Sequence, residues 1–284
     1  MDPKVLLMPV YSRGNEIERL RGALSLARYF DAHLKVIFAQ SKPSDLLGAE
    51  LLGVSAPVRE QLLTIIDGEA KQGRHDLREH FTALCKDYGV SISDRPEDAL
   101  PTASWREIQG ARSELVAVQG RSSDLIIIPH SKSGEATVTF EEAILHTGKP
   151  VFLVPRGMWE IKISKALIGW DGGLECTRAV QQALPLLTRA SNVVIATGRN
   201  LPTGRPDAKS AADYLAYHSV SAQIRLFEDA AASPGAAILD LAAKHDCDLL
   251  VTGAYAHTRL RQRLLGGVTS HLLRHADIPV LMAH

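Results

Sequence analysis

A basic, glycine-bearing segment near the C-terminal end of the chain has the clearest chemical character. It runs from Gly253, after a predicted buried strand, to Gly266 and Gly267, which open a predicted helix. Residues 249–276 contain four arginines, three histidines and no aspartate or glutamate. A helix that begins with glycines exposes unpaired N–H groups and the positive end of its dipole, which suits a phosphate. The segment therefore predicts an anion site, and a solvated basic surface is the simpler alternative.

A second candidate is the sequence Gly169-Trp170-Asp171-Gly172-Gly173, which follows another predicted buried strand. Ligands of open α/β sheets bind at the carboxyl ends of the strands. A carboxylate placed there accepts hydrogen bonds from a ribose or an amine. It also suits the N-cap of the next helix, and both interpretations stay open.

The strands and helices that must position these residues occur twice in the chain, as an internal repeat. Residues 4–10 match 165–171, residues 123–129 match 247–253, and residues 148–154 match 277–283. Short aliphatic strands alternate with helical segments in both copies, a pattern typical of parallel sheets covered by helices. The sequence therefore predicts an α/β protein of two tandem doubly wound parallel-sheet domains, residues 1–157 and 163–284.

The first copy lacks the chemical features of the second. Val10 stands in the place of Asp171, Pro129 in the place of Gly253, and the segment after Pro129 is shorter. That segment is followed by acidic residues, namely Glu135, Glu141 and Glu142. We expect no anion cradle there, and interpret this half as a scaffold or a site for a different ligand.

The copies also differ in one connection, which contains a predicted long amphipathic helix over residues 58–88. Its apolar residues lie at helical spacing, from Leu62 and Ile66 to Phe81 and Leu84. We expect this helix to cover the sheet, and contact with a partner is the alternative.

Composition excludes several classes of protein. The 284 residues carry 32 Lys+Arg and 32 Asp+Glu, a balance that argues against a general nucleic-acid binder. The apolar runs are far shorter than the roughly 20 residues of a membrane helix, and the N-terminus does not resemble a signal peptide. We expect a cytoplasmic protein. Its three cysteines, Cys85, Cys176 and Cys247, are expected to be reduced and structural.

Motifs for P-loop hydrolysis, zincin proteolysis and the α/β-hydrolase nucleophile elbow are missing from the sequence. His271 and His275 lie four residues apart on a predicted helix, and we interpret them as solvent-facing rather than as metal ligands. No base is paired with a nucleophile in the basic segment, so no catalytic residue is assigned.

With the repeat, Asp171 and the segment from Gly253 to Thr269, the chain resembles the universal stress protein family in a tandem form. The resemblance covers nearly the whole chain and implies an adenine nucleotide alpha hydrolase-like fold. Nucleotide-binding members carry G-x2-G-x9-G-[S/T], in which Gly253 and Gly266 match the first and third glycines. Ala256 occupies the second glycine position and Gly267 the hydroxyl position.

The resemblance also implies a binding site for ATP or a related adenine nucleotide in the second domain, with Mg²⁺ only as its companion. Gly169, Trp170 and Asp171 would face the adenosine, and Thr197 would border the adenine. The phosphates would be surrounded by Ala256, His257, Gly266, Gly267, Val268 and Thr269.

By the same resemblance, the two domains would pack as an intramolecular pseudo-dimer through residues 151–154 and 280–283. The nucleotide would stabilise one conformation that a protein partner reads, and ATP hydrolysis would be slow at most. The alternative is an interaction module of the same fold that binds no nucleotide. Whether the tandem chain forms a further homodimer is left open.

Overall fold

The computed structural model describes residues 1–11, 16–40, 55–131, 133–155, 157–158, 160–227, 233–255 and 267–284. Within these ranges the chain forms one sheet of eleven strands and eight α-helices. No helix of the described part is both long and apolar enough to cross a membrane.

The first half of the chain, up to β6, contributes six strands and four helices. The strands are β1 Val5–Val10, β2 His33–Gln40, β3 Ser91–Ile92, β4 Thr102–Gln109, β5 Leu125–Pro129 and β6 Val151–Val154. The helices are α1 Glu16–Phe30, α2 Ala56–Asp87, α3 Arg112–Gln119 and α4 Val138–His146. A single 3₁₀ turn, Gly120–Ser122, follows α3.

The second half repeats this succession of elements. Its strands are β7 Lys165–Trp170, β8 Asn192–Gly198, β9 Ala222–Phe227, β10 Leu249–Gly253 and β11 Val280–Ala283. Its helices are α5 Leu174–Leu187, α6 Ala208–Tyr217, α7 Pro234–Lys244 and α8 Val268–His275.

Strand order confirms the predicted fold class. The order is β3-β4-β2-β1-β5-β6-β11-β10-β7-β8-β9. Apart from the short edge strand β3, which has no counterpart in the second half, each half has the same internal order from its outer strand to the centre. All neighbours pair in parallel except β6 and β11, which pair antiparallel with Leu281 opposite Phe152. The expected contact between the two terminal strands is therefore present, and it protects two strand edges that would otherwise be open.

Helices cover both faces of the sheet. Side chains alternate between the faces of a strand, so Leu6 and Met8 belong to the core that includes residues of α1, α2, α5 and α6, whereas Leu7 belongs to the opposite core. That second core includes Val116 of α3 and Phe140 of α4, together with residues of α7 and α8. Two apolar cores thus hold one central sheet and leave its strand ends free for ligands.

The long helix predicted in the first half is confirmed as α2. In its C-terminal half Leu77, Phe81 and Leu84 are buried against the sheet and α1. Its N-terminal half carries Val58 and Ile65 at 45% and 57% exposure. The expectation that the helix covers the sheet therefore holds for one half of it.

Candidate functional site

A cavity of about 440 Å³ lies at the carboxyl ends of β7, β8, β9 and β10. The chain continues from β7 to β8 and β9 on one side of β7 and then returns to β10 on its other side. The cavity therefore lies at the switch point of strand order. Seven of the predicted site residues line it together: Gly169, Trp170, Asp171, Gly253, Gly267, Val268 and Thr269. The first turns of α5, α7 and α8 complete its wall.

Asp171 is held on both of its carboxylate oxygens. Oδ1 accepts a hydrogen bond from the backbone N–H of Gly173 at 2.8 Å, and Oδ2 lies 2.7 Å from Nη1 of Arg205. Nη1 of Arg205 also donates to the main-chain oxygen of Asp171 at 3.1 Å. Gly173 is the N-cap of α5. Asp171 therefore fixes the start of α5 and is charge-paired, while its side chain stays 47% exposed.

The turn after β7 requires glycine. Gly172 has φ +68°, and a Cβ built there would lie 2.6 Å from the main-chain oxygen of Pro206. The same oxygen accepts a hydrogen bond from Nε1 of Trp170 at 3.1 Å. These contacts seat the loop that carries Arg205 against the end of β7, and Trp170 is itself buried. Its indole anchors this loop.

Gly253 allows the end of β10 to pack closely against the start of α5. A Cβ on Gly253 would lie 2.6 Å from the backbone nitrogen of Cys176, at the start of α5. Backbone cannot yield as a flexible side chain does, so the end of β10 approaches α5 only because this residue has no side chain. Gly267 is different, since a Cβ there meets no atom of the described residues within 4 Å and its φ of −79° suits any residue.

The N-terminus of α8 faces the cavity without a side-chain cap. Gly267 is its N-cap, and Val268 and Thr269 form the first turn. Oγ1 of Thr269 accepts a hydrogen bond from the N–H of Tyr255 at 3.4 Å, and its own hydroxyl hydrogen can still be donated. Tyr255 has φ +55°, which is uncommon for a residue with a side chain.

The thiol in the cavity wall is not a nucleophile. Burial raises the pKa of Cys176 to about 12, and its Sγ donates to the main-chain oxygen of Gly169 at 3.1 Å. All three cysteines are free and buried. This agrees with the expected structural role, because the thiolate is the reactive form.

Four predicted site residues are not among those seven. Thr197 is buried at the end of β8, and its neighbours Gly198 and Asn200 line the cavity instead. Ala256, His257 and Gly266 lie outside the described residues. The arginines at positions 259, 261 and 263 do so too, so the basic segment is represented in the described wall only by its two ends.

Sequence reasoning missed several residues of the wall. These are Glu175, Cys176, Gly198, Asn200, Leu201, Pro202, Arg205, Phe227, Pro234, Ile238, Thr252 and Tyr255. Most of them stand at predicted strand ends or helix starts, and that position could have identified them. Arg205 stands in the loop between β8 and α6, and no motif marks it.

His271 and His275 form a ring contact on α8, with centroids 4.5 Å apart. Burial lowers the pKa of His271, and the charges of His275 and Arg274 add to the effect. Across the described residues, no cluster of three or more His, Cys, Asp or Glu is arranged to hold a metal ion.

Residues 227–284, which contain β10, α8 and β11, match the model of the Universal stress protein family. Universal stress protein Slr1230 of Synechocystis sp. (strain ATCC 27184 / PCC 6803 / Kazusa) is 26% identical over 164 residues. This match spans 52% of the present chain and 51% of that relative, about half the length of each.

The whole fold has a counterpart in a universal stress protein from Archaeoglobus fulgidus DSM 4304. That structure covers 98% of this chain and 95% of its own, with a TM-score of 0.68 and 12% identity, so it shows the shared fold alone. A universal stress protein solved in complex with cAMP covers 43% of the chain at 25% identity, with a TM-score of 0.36. The predicted resemblance to this family is confirmed, by sequence at the C-terminal end and by fold over the chain.

Proposed function

We propose that this chain, which matches the universal stress protein family through residues 227–284 and shares its fold throughout, binds ATP or a related adenine nucleotide in its second half. Within this proposal residues 163–284 form the nucleotide-binding domain and residues 1–157 its companion domain. The observation that carries the proposal is the meeting of seven predicted site residues around one cavity.

The two ends of the cavity suit the two ends of a nucleotide. At the end of β7, the carboxylate of Asp171 is an acceptor for ribose hydroxyls, and apolar residues such as Ile238 and Phe227 offer contact to a base. At the other end, the uncapped start of α8 presents backbone N–H groups and the hydroxyl of Thr269. A helix N-terminus of this kind favours phosphate oxygens.

The residues present also fit a Mg²⁺ ion that accompanies the phosphates. Glu175, whose Cβ lies beside Gly253, supplies a carboxylate in the described wall, and Mg²⁺ bound with a nucleotide takes one or two carboxylates besides phosphate oxygens and water. Such an ion would neutralise phosphate charge. No catalytic base is assigned in this site, so hydrolysis would be slow at most.

Binding is proposed to act by selecting one arrangement of the two halves, which a protein partner then recognises. Tyr255 lines the cavity and its ring lies 6.1 Å from that of Phe140 on α4 of the first half. An element of the first half therefore touches the wall of the proposed nucleotide site.

The first experiment is to purify the protein without added nucleotide, denature it, and identify released small molecules by mass spectrometry. The emptied protein is then titrated with ATP by calorimetry. Asp171→Asn keeps an oxygen for the N–H of Gly173 but loses the charge, and Asp213→Asn is the matched control because Asp213 is exposed on α6.

The expected result is recovery of adenine nucleotide, or saturable ATP binding that Asp171→Asn weakens about ten- to hundredfold and Asp213→Asn leaves unchanged. A charged hydrogen bond of 1.5 to 3 kcal/mol corresponds to roughly that loss. No released nucleotide together with no binding at millimolar ATP would contradict the proposal.

The second candidate is an interaction module that binds no nucleotide. It is favoured by the engagement of both carboxylate oxygens of Asp171 and by the exposed apolar residues Val58 and Ile65 on α2. This candidate predicts that Asp171→Asn changes no ligand affinity, and that substitutions on the N-terminal half of α2 abolish capture of a partner.

A further inference from the structure

The first half of the chain has its own cavity, of about 400 Å³, at the carboxyl ends of β1 and β5. It occupies the place that corresponds to the cavity of the second half. Six of its polar lining residues are Tyr11, Arg19, Arg112, His130, Thr137 and Thr139. The acidic residues that argued against an anion here, Glu135, Glu141 and Glu142, lie outside its lining.

Arg112 reaches this cavity from α3 in a fixed orientation. Its guanidinium carbon lies 4.1 Å above the ring of Tyr11, and its Nε donates to Oγ1 of Thr139 at 3.0 Å. These contacts use the face and one edge of the guanidinium. Its terminal amino groups form no ion pair with a carboxylate in the part of the chain that the structure describes. A planar, pre-oriented guanidinium of this kind binds carboxylate and phosphate oxygens in a bidentate manner.

Arg19 supplies a second positive charge to the wall. Its Nη1 lies 2.7 Å from Oε1 of Glu16, whose side chain is only 3% exposed. Burial raises the pKa of Glu16 to about 7, against the opposing attraction of Arg19 and Arg112. Arg19 is paired with Glu16 and Arg112 is not, so these three side chains carry net positive charge even when Glu16 is ionised.

The start of α4 adds neutral donors on the same wall. Oγ1 of Thr137, the N-cap of α4, accepts from the N–H of Phe140 at 3.2 Å and keeps its hydroxyl hydrogen for a ligand. Oγ1 of Thr139 likewise accepts a hydrogen bond, from Nε of Arg112, and keeps its hydroxyl hydrogen for a ligand. Both hydroxyls line the cavity, and the positive end of the α4 dipole lies beside them.

We propose that this cavity is a second ligand site, in which Arg112, Arg19 and the hydroxyls of α4 bind a small oxyanion, a carboxylate or a phosphate group. The site differs in chemistry from the cavity of the second half, because Asp171 and Glu175 line that cavity, whereas no carboxylate is among the described residues that line the first one. This inference is independent of nucleotide binding in the second half.

The test is calorimetric titration of the full chain with inorganic phosphate and, separately, with acetate at constant ionic strength. Arg112→Gln removes the guanidinium, and Arg178→Gln is the charge-matched control because Arg178 is exposed on α5. We expect saturable binding of at least one anion, about ten- to hundredfold weaker in Arg112→Gln and unchanged in Arg178→Gln. The anion that binds identifies the functional group.

Arg112→Lys is a second variant in case Arg112→Gln does not fold. It keeps the charge but loses the fork, and we expect binding severalfold weaker than in the wild type. A role limited to joining α3 to α4 would lower the thermal midpoint of both variants and leave anion affinity unchanged. That result, or an absence of binding by the wild type, would overturn the proposal. Anion binding elsewhere in the molecule would likewise be insensitive to Arg112.

Discussion

Nη1 of Arg205 lies 2.7 Å from Oδ2 of Asp171, and the two residues come from different loops at the end of the sheet. The pair holds the carboxylate that is proposed to accept ribose hydroxyls. Under this proposal, Arg205 would compete with a nucleoside for this acceptor.

Arg205→Gln is expected to strengthen adenosine binding, because Asp171 loses its competitor. An ion pair that is 24% and 47% exposed on its two side chains is worth at most about 1 kcal/mol, so the gain is up to about fivefold. Calorimetry with adenosine measures it, since adenosine lacks phosphates that could contact the arginine. Unchanged or weaker adenosine binding would count against competition.

The substitutions Gly267→Ser and Gly253→Ser form a matched pair with opposite expected results. At Gly267 the added side chain meets no atom of the described residues within 4 Å and offers a hydroxyl to phosphate, so ATP binding should strengthen about tenfold. At Gly253 it would collide with the backbone of Cys176 and lower the free energy of unfolding by about 1 to 3 kcal/mol. Denaturant unfolding and ATP titration of both variants check these outcomes. Equal stability of the two would refute the role given to Gly253.

Glu16 should make stability depend on pH. Burial raises its pKa in the folded protein from 4.5 to about 7. The folded state therefore binds the proton of Glu16 more tightly than the unfolded state does, and this difference stabilises the fold. The stabilisation is complete below pH 4.5 and is lost as the pH rises through about 7. Glu16→Gln cannot titrate.

The free energy of unfolding of the wild type, relative to Glu16→Gln, should accordingly fall by about 3 kcal/mol over this range. Urea unfolding at pH 5, 6, 7 and 8 measures it. The exposed Glu69 on α2 provides the control Glu69→Gln, for which no such trend is expected. A difference that stays constant with pH would contradict the burial of an ionisable Glu16.

The two halves of α2 should respond differently to truncation. Phe81 is 1% exposed and packs near the ring of Trp105, so Phe81→Ala should cost about 3 to 5 kcal/mol of unfolding free energy. Ile65 is 57% exposed, and Ile65→Ala should change it by less than about 0.5 kcal/mol. Denaturant unfolding of both variants checks this, and a similar large loss at Ile65 would mean that this part of α2 is covered in solution.

Much of the architecture could be predicted because the sequence repeats itself. Two copies of a strand and helix pattern predicted two parallel-sheet halves, whereas their meeting through residues 151–154 and 280–283 was implied by the family resemblance. Strand ends and helix starts could be located from the same patterns, and two residues at such positions, Asp171 and Thr269, line one cavity. Such features depend on the spacing of hydrophobic residues along the chain, which can be read directly from the sequence.

The sequence by itself determined the alternation of strands and helices and the strands that the two copies share, because these depend on neighbours in the chain, whereas it did not identify β3, β4 or β9. Only the tertiary structure decided that Arg205 pairs with Asp171, that Arg112 lies over Tyr11 in the opposite cavity, and that Gly253 is needed for the approach of α5. These contacts join residues that are distant in sequence. Their geometry exists only after helices and loops from separate segments pack on the same sheet, and periodicity within one segment does not encode it.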